Sequence, residues 1–353
     1  MKDLRIAYLP ELIGSGGLLS PCSSIRTDYY LKQLAVHSGA KIRYFYEVRG
    51  LDPLHYDVIF VNRLAIPSIE EVKYLLHTVQ KAPAPIPVIL DLDDDLLAIP
   101  PEHVDYQRIH PRLEALALLV KKADAVIVST PELAQALPRG GNARYVIPNR
   151  VLLPRIRALP EAAFHGATRV LYFGTASHIH ELHTLQPLFD SSSPWFSGLQ
   201  LVVAGIVSSD SHWYTTINLL HPCVDTFLDR LASLEGYRCG LAPLRLDDPL
   251  NRSKSEIKIF DYAYLGLPVI ASSCPQYQRT IVHGRTGFLV SENPKEWIQY
   301  LKLLQSDRRC AEVSAEAAAH LAALAPSDKA ITSTLIEIIH SIAHSYNQRD
   351  IRS

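Results

Sequence analysis

The fold of this chain is constrained above all by short apolar runs that alternate with helical patterns, in two successive series. The runs are nearly continuous in Val, Ile, Leu or Tyr, as expected for strands whose sheet is covered on both faces. Strands that alternate with helices predict a parallel, doubly wound α/β sheet. The first series predicts strands at 4–9, 41–46, 57–61, 88–91, 125–129 and 144–147, with helices at 25–37, 68–80, 112–122 and 131–137.

The second series follows a stretch punctuated by prolines, 148–160, which is predicted to be a linker. Its strands are predicted at 170–173, 200–204, 238–241 and 269–272, and a last helical pattern near 327–345 has no strand after it. A chain of 353 residues is longer than one comfortable hydrophobic core requires. Two doubly wound domains in tandem are therefore expected.

The composition is that of a globular protein without a marked preference for polyanions. The formal net charge is −1 and 20% of the residues are charged, which argues against nucleic acid as the main partner. Five cysteines are scattered without a CxxC pair, so reduced thiols are expected and neither disulfides nor a zinc site is. No signal-peptide pattern precedes the first predicted strand, and no apolar run reaches about 18 residues. We expect a cytoplasmic protein, and these features are compatible with peripheral attachment to the inner face of a membrane.

The segment 240–272 carries the clearest local signals: a buried strand, a polar loop, a capped helix and a second buried strand. Ser253 and Glu256 have the spacing of a capping box, which predicts that the helix begins at Ser253. Gly266, followed two residues later by Pro268, predicts its end.

Two lysines and an aspartate share one face of this predicted helix. Lys254, Lys258 and Asp261 follow i, i+4, i+7 spacing near the helix start. Two ammonium groups beside a helix N-terminus suit a phosphate or diphosphate. A carboxylate one turn deeper can accept hydrogen bonds from a ribose diol, so the arrangement suits a sugar nucleotide. A lysine-rich solvated helix face has the same spacing, and spacing alone leaves both interpretations open.

Residues 240–272 resemble the donor-binding region of GT-B glycosyltransferases, especially the retaining family 4 and its relatives in bacterial polysaccharide biosynthesis. In that family a Glu five residues before the Gly of an xGxPV(I/V)AS stretch holds the donor ribose, and Asp261 occupies this position. The family's earlier acid, eight residues upstream, falls on Ser253 and is missing. The run 251–258 is similar to a subgroup pattern, and 283–290 resembles the family's hGxtGxLv hairpin.

The resemblance implies two Rossmann-like domains that face a cleft. It assigns 1–155 to the acceptor side and 166–325 to the nucleotide-sugar donor, with a C-terminal helix, 326–353, crossing back to the first domain. The implied activity is metal-independent, retaining transfer of a sugar from a nucleoside-diphosphate-sugar to a carbohydrate or lipid-linked acceptor, with no cofactor beyond that co-substrate. The alternatives are a non-catalytic GT-B partner subunit of a glycan-assembly complex and another GT-B chemistry, such as sugar-nucleotide epimerisation.

The loop after the first strand of the second domain is a candidate phosphate site. Gly174 allows backbone N–H groups to approach a phosphate, and His178 can donate to it. A plain βα turn with an incidental histidine is the alternative. Typical family members carry an Arg and a Lys in this loop, and this chain has neither, so the diphosphate is assigned to other cations. The predicted donor-binding residues are Gly174, Thr175, His178, Pro243, Arg252, Lys254, Ser255, Lys258 and Asp261.

Two loops of the first domain are candidates for the acceptor side. The glycine-rich stretch 14–17 precedes Arg26; it is not GxGxxG, so a dinucleotide site is unsupported, and a flexible surface loop is an equal alternative. The acidic run 91–95 follows a strand, and its carboxylates fit acceptor hydroxyls, a divalent metal or a solvated turn. We favour acceptor hydroxyls. The predicted acceptor-side residues are Gly16, Gly17, Arg26, Asp93 and Asp95.

Catalysis in a retaining GT-B enzyme is expected to need no protein nucleophile, because the departing diphosphate can take the acceptor proton. The task left to the protein is to stabilise charge and to position the reactants. The predicted catalytic residues are Lys258, Lys254 and Asp94. No metal ligand is predicted: His180 and His183 are one residue short of HExxH spacing and are interpreted as structural.

Overall fold

The structure, a computed structural model, describes residues 4–13, 17–84, 86–151, 155–219, 221 and 223–350. The chain divides into two units, each with its own six-stranded parallel sheet. Unit 1 consists of Met1–Arg150, Arg252–Ser255 and Pro326–Ser353, and unit 2 of Val151–Asn251 and Glu256–Ala325. Two segments depart from the predicted division: residues 252–255, expected in the second domain, belong to unit 1, and residues 151–155, expected in the first domain, belong to unit 2.

The six strands of the main sheet of unit 1 coincide with the predicted apolar runs to within two residues, and two short strands of unit 1 were not predicted. They are β1 (Arg5–Leu9), β2 (Leu12–Ile13), β3 (Leu18–Leu19), β4 (Lys41–Tyr44), β5 (Val58–Asn62), β6 (Val88–Leu92), β7 (Ala125–Val128) and β8 (Ala143–Val146). The sheet order is β4-β1-β5-β6-β7-β8, and β2 and β3 form a separate antiparallel pair. Every residue of β5 and β6 is buried, in agreement with helices on both faces.

Besides its last helix, unit 1 has six helices among the described residues, of which three begin at a serine or threonine that caps them through its side chain. They are α1 (Pro21–Ile25), α2 (Thr27–Ser38), α3 (Ile69–Gln80), α4 (Tyr106–Ile109), α5 (Leu113–Lys122) and α6 (Pro131–Ala136). The Ser68 hydroxyl caps α3 by accepting from the Glu71 backbone N–H (3.3 Å). Thr130 caps α6 in the same way through the Leu133 N–H (3.1 Å). These two caps set the first residues of α3 and α6.

Unit 2 repeats the doubly wound pattern. Its strands are β9 (Arg169–Phe173), β10 (Gln200–Ala204), β11 (Tyr214–Ile217), β12 (Tyr237–Ala242), β13 (Val269–Ser272) and β14 (Phe288–Val290), in the order β11-β10-β9-β12-β13-β14. Its helices are α7 (Ile179–Thr184), α8 (Gln186–Phe189), α9 (Val224–Ala232), α10 (Ile257–Leu265), α11 (Pro275–Gln278), α12 (Pro294–Leu303) and α13 (Asp307–Leu324). The strand order reverses between β9 and β12, which makes their carboxyl ends the switch point of this sheet.

The two outermost strands of unit 2 differ from the sequence expectation. The strand β11 was not predicted, because its sequence is half polar and all four of its residues are only partly buried. The stretch 283–290 is not a hairpin. After a turn at Gly284–Gly287 it supplies β14, which runs parallel to β13.

The last helix, α14 (Asp328–Asp350), packs on α2 within unit 1. Its apolar residues Ile331, Leu335, Ile338, Ile339 and Ile342 share a core with Tyr30, Leu31 and Leu34 of α2. The Tyr29 hydroxyl also donates to the Asp328 carboxylate (2.6 Å). The core of unit 1 is therefore completed by the C-terminal end of the chain.

The helix α10 begins four residues later than the capping box predicted. Residues Leu250–Ser253 form a 3₁₀ helix, and Glu256 precedes α10 without capping it through its side chain. The Ser253 backbone oxygen accepts from the Thr130 hydroxyl (2.8 Å), which holds this segment in unit 1. The helix ends as predicted at Gly266, whose φ of +73° lies in the left-handed region. A long-range hydrogen bond thus overrides the local capping signal.

Candidate functional site

In unit 2 the switch point is occupied by the loop that follows β9. Gly174 begins this loop, and a 3₁₀ turn at Ala176–His178 leads into α7. A Cβ placed on Gly174 would lie 2.6 Å from the His178 Cδ2, so only glycine leaves room for the imidazole. Thr175 is exposed, with its hydroxyl 2.7 Å from that of Ser177. The loop therefore presents backbone, two hydroxyls and one imidazole at the strand end.

The Lys258 ammonium lies directly behind this loop, although not where the sequence prediction placed it. Its Nζ donates to the backbone oxygen of Phe173 (2.5 Å), the last residue of β9, and lies 4.6 Å from the centroid of the Phe173 ring. The residue is 9% exposed. The prediction that Lys258 lies on an unobstructed face of α10 is wrong, because the helix is buried on nearly every side. The positive charge nevertheless lies at the switch point.

Asp261 follows Lys258 by one turn of α10 and is partly buried. Burial raises the pKa of its carboxyl to about 7, and the Lys258 ammonium opposes this shift. Near neutral pH the side chain can therefore both donate and accept a hydrogen bond. This is the pairing that a ribose diol requires, because each diol hydroxyl is itself a donor and an acceptor.

Glu181 of α7 is a buried carboxylate that the sequence analysis missed. It is 2% exposed, and its Oε1 accepts from the Asn251 Nδ2 (2.6 Å). Its Oε2 lies 3.9 Å from the His178 Nδ1 and has no hydrogen-bond partner. The sequence signal was present as His180-Glu181-Leu182-His183 but was considered only as a metal pattern. Pro243, one residue after β12, is buried and lies at the carboxyl end of that strand.

In unit 1, Arg26 is structural rather than an acceptor contact, which corrects its assignment. Its side chain has no exposed surface and pairs with Asp91 at the end of β6 (2.6 Å). Its Nη1 also donates to the Asn149 Oδ1 (2.8 Å) and the Ile147 backbone oxygen (3.0 Å). With every direction occupied by protein, this guanidinium does not reach a substrate.

Asp93 lies one step beyond β6 and is held by an arginine that the sequence analysis also missed. The Arg63 Nη1 donates to the Asp93 Oδ2 (3.0 Å), and its Nε lies 3.4 Å from the buried Glu11. Arg63 is the one non-glycine residue with positive φ (+42°) among the described residues, a backbone strain that its ion pairs offset. The other oxygen, Asp93 Oδ1, is buried without a hydrogen-bond partner.

Asp94 and Asp95 complete the acidic cluster. Burial and the neighbouring Asp93 raise the pKa of Asp94 to about 6, opposed chiefly by the Lys254 ammonium. Burial also raises the pKa of Asp95, whereas backbone N–H groups of Ala98 and Leu97 lower it. Asp94 can therefore hold or release a proton near neutral pH, as a group that exchanges one with a hydroxyl must.

The predicted donor set does not lie in one unit. Arg252, which is exposed, and Lys254 and Ser255, which are partly buried, belong to unit 1. There the Ser255 hydroxyl accepts from the Asn149 Nδ2 (2.7 Å). Only Gly174, Thr175, His178, Pro243, Lys258 and Asp261 lie in unit 2. Of the glycine-rich loop, Gly17 has a φ of +65° and open space around it, and Gly16 lies outside the described residues.

Three further observations concern the described residues. A cavity of about 480 Å³ lies at the ends of β10 and β11, lined by Gly205, Ser208, Ser209, Tyr214, Thr216 and Asn218, among others. No group of three or more His, Cys, Asp or Glu side chains arranged to hold a metal is found in the described part of the chain. Within the same residues, no helix combines the length and apolarity that crossing a bilayer would take.

Comparison with known proteins identifies the fold. No protein-family model and no curated protein matches the sequence. Among solved structures, sucrose-phosphate synthase from Thermosynechococcus elongatus has a TM-score of 0.65 at 16% identity, over 97% of this chain and 100% of that chain. HepE from Anabaena, solved with UDP and glucose, has a TM-score of 0.63 at 14% identity, over 96% and 100%.

A third similar structure is TarM, with a TM-score of 0.56 at 12% identity, over 83% of this chain and 57% of that chain. These neighbours are GT-B glycosyltransferases. Likeness at such identities establishes the fold alone, and this chain accordingly has the GT-B fold class with two Rossmann-like units, as the sequence analysis expected.

Proposed function

We propose that this protein is a glycosyltransferase that moves a sugar from a nucleoside-diphosphate-sugar to a carbohydrate or lipid-linked acceptor. The observation that carries the proposal is the pair of basic side chains, Lys258 and His178, at the switch point between β9 and β12. Ligands of doubly wound sheets bind at this point, and basic groups there fit an anionic ligand. HepE, which shares the fold, was solved with UDP-glucose.

The role of the basic groups is to stabilise the diphosphate as it leaves. His178 can donate directly into the loop that begins at Gly174. Lys258 acts through its charge, while the Phe173 carbonyl holds its ammonium in place (2.5 Å). A charge fixed before the reaction begins is effective, because no reorganisation is needed as the leaving group develops. Asp261 then holds the ribose.

In unit 1, the acidic cluster at the end of β6 is the candidate acceptor site. The buried Asp93 Oδ1, which has no protein donor, can accept from a sugar hydroxyl. Asp94, with its pKa raised to about 6, can align a second hydroxyl. We propose retention of configuration without a protein nucleophile or a metal, as expected from the resemblance to family 4. A lipid-linked acceptor would bring the protein to the inner face of a membrane, which co-sedimentation with acceptor-bearing vesicles tests.

The test begins with a panel of nucleoside-diphosphate-sugars, scored for donor hydrolysis and for transfer to added glycans. With the active donor, Lys258→Ala is expected to lose about 2.7–4 kcal/mol of transition-state stabilisation, a factor of roughly 10² to 10³ in turnover. Lys302→Ala removes an exposed lysine of the same unit and is the matched control. Turnover of Lys258→Ala close to that of the wild type would remove Lys258 from the mechanism.

A second candidate function is a non-catalytic GT-B subunit that binds a nucleotide without turning it over. It is favoured by Ser253, which stands where family 4 carries an acid and is buried with its backbone oxygen bound to Thr130 (2.8 Å). Binding of a nucleoside diphosphate without hydrolysis or transfer of any donor in the panel would select this candidate. Turnover by the isolated chain would exclude it.

A further inference from the structure

The two central strands of unit 2 stop pairing with each other before they end. The last residue pair that joins β9 to β12, among the described residues, is Leu171 with Gly240. On their other sides, β9 stays paired with β10, and β12 with β13, to the last residue of each strand. Beyond Leu241, the next N–H group that would point from β12 to β9 is that of position 243, which is a proline and has none. The carboxyl ends of β9 and β12 are therefore held by other groups than the strand ladder.

Two side chains of α10 bond to the carbonyl groups at this point. The Tyr262 hydroxyl lies 2.7 Å from the Leu241 backbone oxygen and 3.0 Å from that of Leu171, so its single proton lies between one carbonyl of each strand. One turn earlier on the same face of α10, the Lys258 Nζ donates to the Phe173 backbone oxygen (2.5 Å). Side-chain donors of α10 thus replace the backbone ladder at the ends of the two strands.

Gly240 provides the room that the Tyr262 ring occupies. A Cβ placed on Gly240 would lie 2.0 Å from the Tyr262 Cε1 and 2.1 Å from its Cδ1, so the ring packs directly on the backbone of β12. The Phe173 ring packs on it edge to face, with the two ring centroids 5.0 Å apart. The Tyr262 side chain has no exposed surface. The ring is therefore confined, and its hydroxyl has a fixed position between the two strands.

This hydroxyl ties the separation of the strand ends to the position of α10. Buried carbonyl groups favour the arrangement that gives them a donor, so the oxygens of Leu171 and Leu241 are stabilised where both reach the hydroxyl. Without it, the ends of β9 and β12 can shift relative to each other. The loop that begins at Gly174 follows β9 directly and would shift with it. That loop lies at the switch point, where a doubly wound sheet binds its ligand.

We propose that Tyr262 is a positioning residue that sets the separation of β9 and β12 at the switch point, and with it the width of the crevice that binds a nucleoside diphosphate. Because its side chain is fully buried, Tyr262 acts through the two strands and not by touching the ligand. The inference rests on the proposed function only for the identity of the ligand. The effect of the hydroxyl on the strand ends belongs to the free protein and can be measured without a ligand.

The first measurement is hydrogen–deuterium exchange of the free protein at short labelling times, which report local opening and not global unfolding. In Tyr262→Phe, exchange in peptides covering 170–178 and 239–246 is expected to rise about five- to tenfold, the factor for loss of one ordinary hydrogen bond. Peptides of β10 should stay as protected as in the wild type. Unchanged exchange at the strand ends, or a rise no larger than that in β10, overturns the proposal.

The matched control is Tyr172→Phe. It makes the same chemical change at a second fully buried tyrosine, which lies on β9 itself. Its hydroxyl has no hydrogen-bond partner among the described residues. Exchange at the strand ends should therefore be the same in Tyr172→Phe as in the wild type. A rise equal to that of Tyr262→Phe would show that any buried hydroxyl of this core has the effect, and would also overturn the proposal.

The second measurement is calorimetric binding of whichever of UDP, GDP, dTDP or ADP binds the wild type, under conditions in which tryptophan fluorescence shows unit 2 to be folded. We expect Tyr262→Phe to weaken binding about five- to tenfold, because the ligand must then restore the separation of the strand ends as it binds. Tyr172→Phe should bind like the wild type. So should Ile298→Val, which lowers the stability of unit 2 by trimming a buried side chain of α12.

The outcomes of the binding experiment separate this inference from the proposed function. Wild-type affinity in Tyr262→Phe overturns the positioning role, even if exchange at the strand ends has risen. An equal loss of affinity in Ile298→Val would trace the effect to stability and would overturn it too. If the wild type binds none of the four diphosphates, the proposed function fails, and the exchange result still decides whether Tyr262 holds the strand ends.

Discussion

Replacing Arg26 by alanine tests whether this residue supports the fold or binds a substrate. The substitution removes a guanidinium with no exposed surface and leaves the Asp91 carboxylate buried, with Thr27 (2.6 Å) and Asn62 (3.2 Å) as its remaining donors. Breaking a buried ion pair by removing one partner costs roughly 3–5 kcal/mol. With a urea slope of about 2 kcal/mol per M, the unfolding midpoint should fall by roughly 1.5–2.5 M.

The assay can follow the two units separately. All three tryptophans, Trp195, Trp213 and Trp297, belong to unit 2, so their fluorescence reports that unit, whereas far-UV circular dichroism reports both. In Arg26→Ala the dichroism transition should move to lower urea, and it should separate from the fluorescence transition if the units unfold independently. Arg49→Ala, at an exposed arginine of unit 1, should change stability by less than about 0.5 kcal/mol.

A double-mutant cycle strengthens this test. Because Asp91→Ala removes the other half of the ion pair, the loss in Arg26→Ala combined with Asp91→Ala should be well below the sum of the two single losses. An Arg26→Ala protein that unfolds like the wild type and shows only a higher KM for acceptor would refute the reasoning. It would also restore the acceptor-side assignment made from the sequence.

Three further predictions concern unit 2. Gly174→Ala places a Cβ 2.6 Å from the His178 ring without backbone strain. Affinity for a nucleoside diphosphate should fall about tenfold, while the free energy of unfolding changes by roughly 1 kcal/mol. Gly141→Ala, with open space around it, should change neither. Burial raises the pKa of Asp261 from 3.8 to about 7, so the folded state binds that proton more tightly than the unfolded state does. The free energy of unfolding should therefore fall as the pH rises from about 4 to about 7. Urea unfolding at several pH values should show a shallower fall in Asp261→Asn. Tyr262→Phe removes a hydroxyl whose single proton lies between two strand carbonyls, Leu171 at 3.0 Å and Leu241 at 2.7 Å, and should cost roughly 1–3 kcal/mol by tryptophan-monitored unfolding. A pH-independent difference between Asp261→Asn and wild type, or a neutral Tyr262→Phe, would contradict these assignments.

The central strands of both sheets could be predicted from the sequence because they are apolar on both faces. Every residue of β5 and β6 is buried, as expected for strands in a sheet that is covered on both faces. The edge strand β11, with the sequence Tyr-Thr-Thr-Ile, carries no such signal, since half of it is polar and none of it is fully buried. Strand prediction therefore succeeded for the buried strands and for the edge strands β4 and β8, and it missed β11 and the short pair β2 and β3.

The candidate site was only partly predictable, because its key contacts are long-range. Lys258 has the spacing of a solvated lysine, and nothing local reveals that the backbone oxygen of Phe173, 85 residues earlier in the chain, accepts a hydrogen bond from its ammonium. Arg26 resembles a surface cation until Asp91, 65 residues later, is placed beside it. Ser253 forms a capping box in sequence, but its segment is held by Thr130. Residue type and spacing identified the loops of the candidate site, whereas the burial of each side chain, which depends on long-range contacts, determines its role.

The chain passes between the two units four times, at 150–151, 251–252, 255–256 and 325–326. Neither unit can therefore be obtained by cutting the gene at a single point. A fragment ending at Arg150 would lack α14 and expose the apolar side of α2 around Leu31 and Leu34, which invites aggregation. Dissection of this protein into halves calls for a permuted chain that rejoins the C-terminal helix to the first unit.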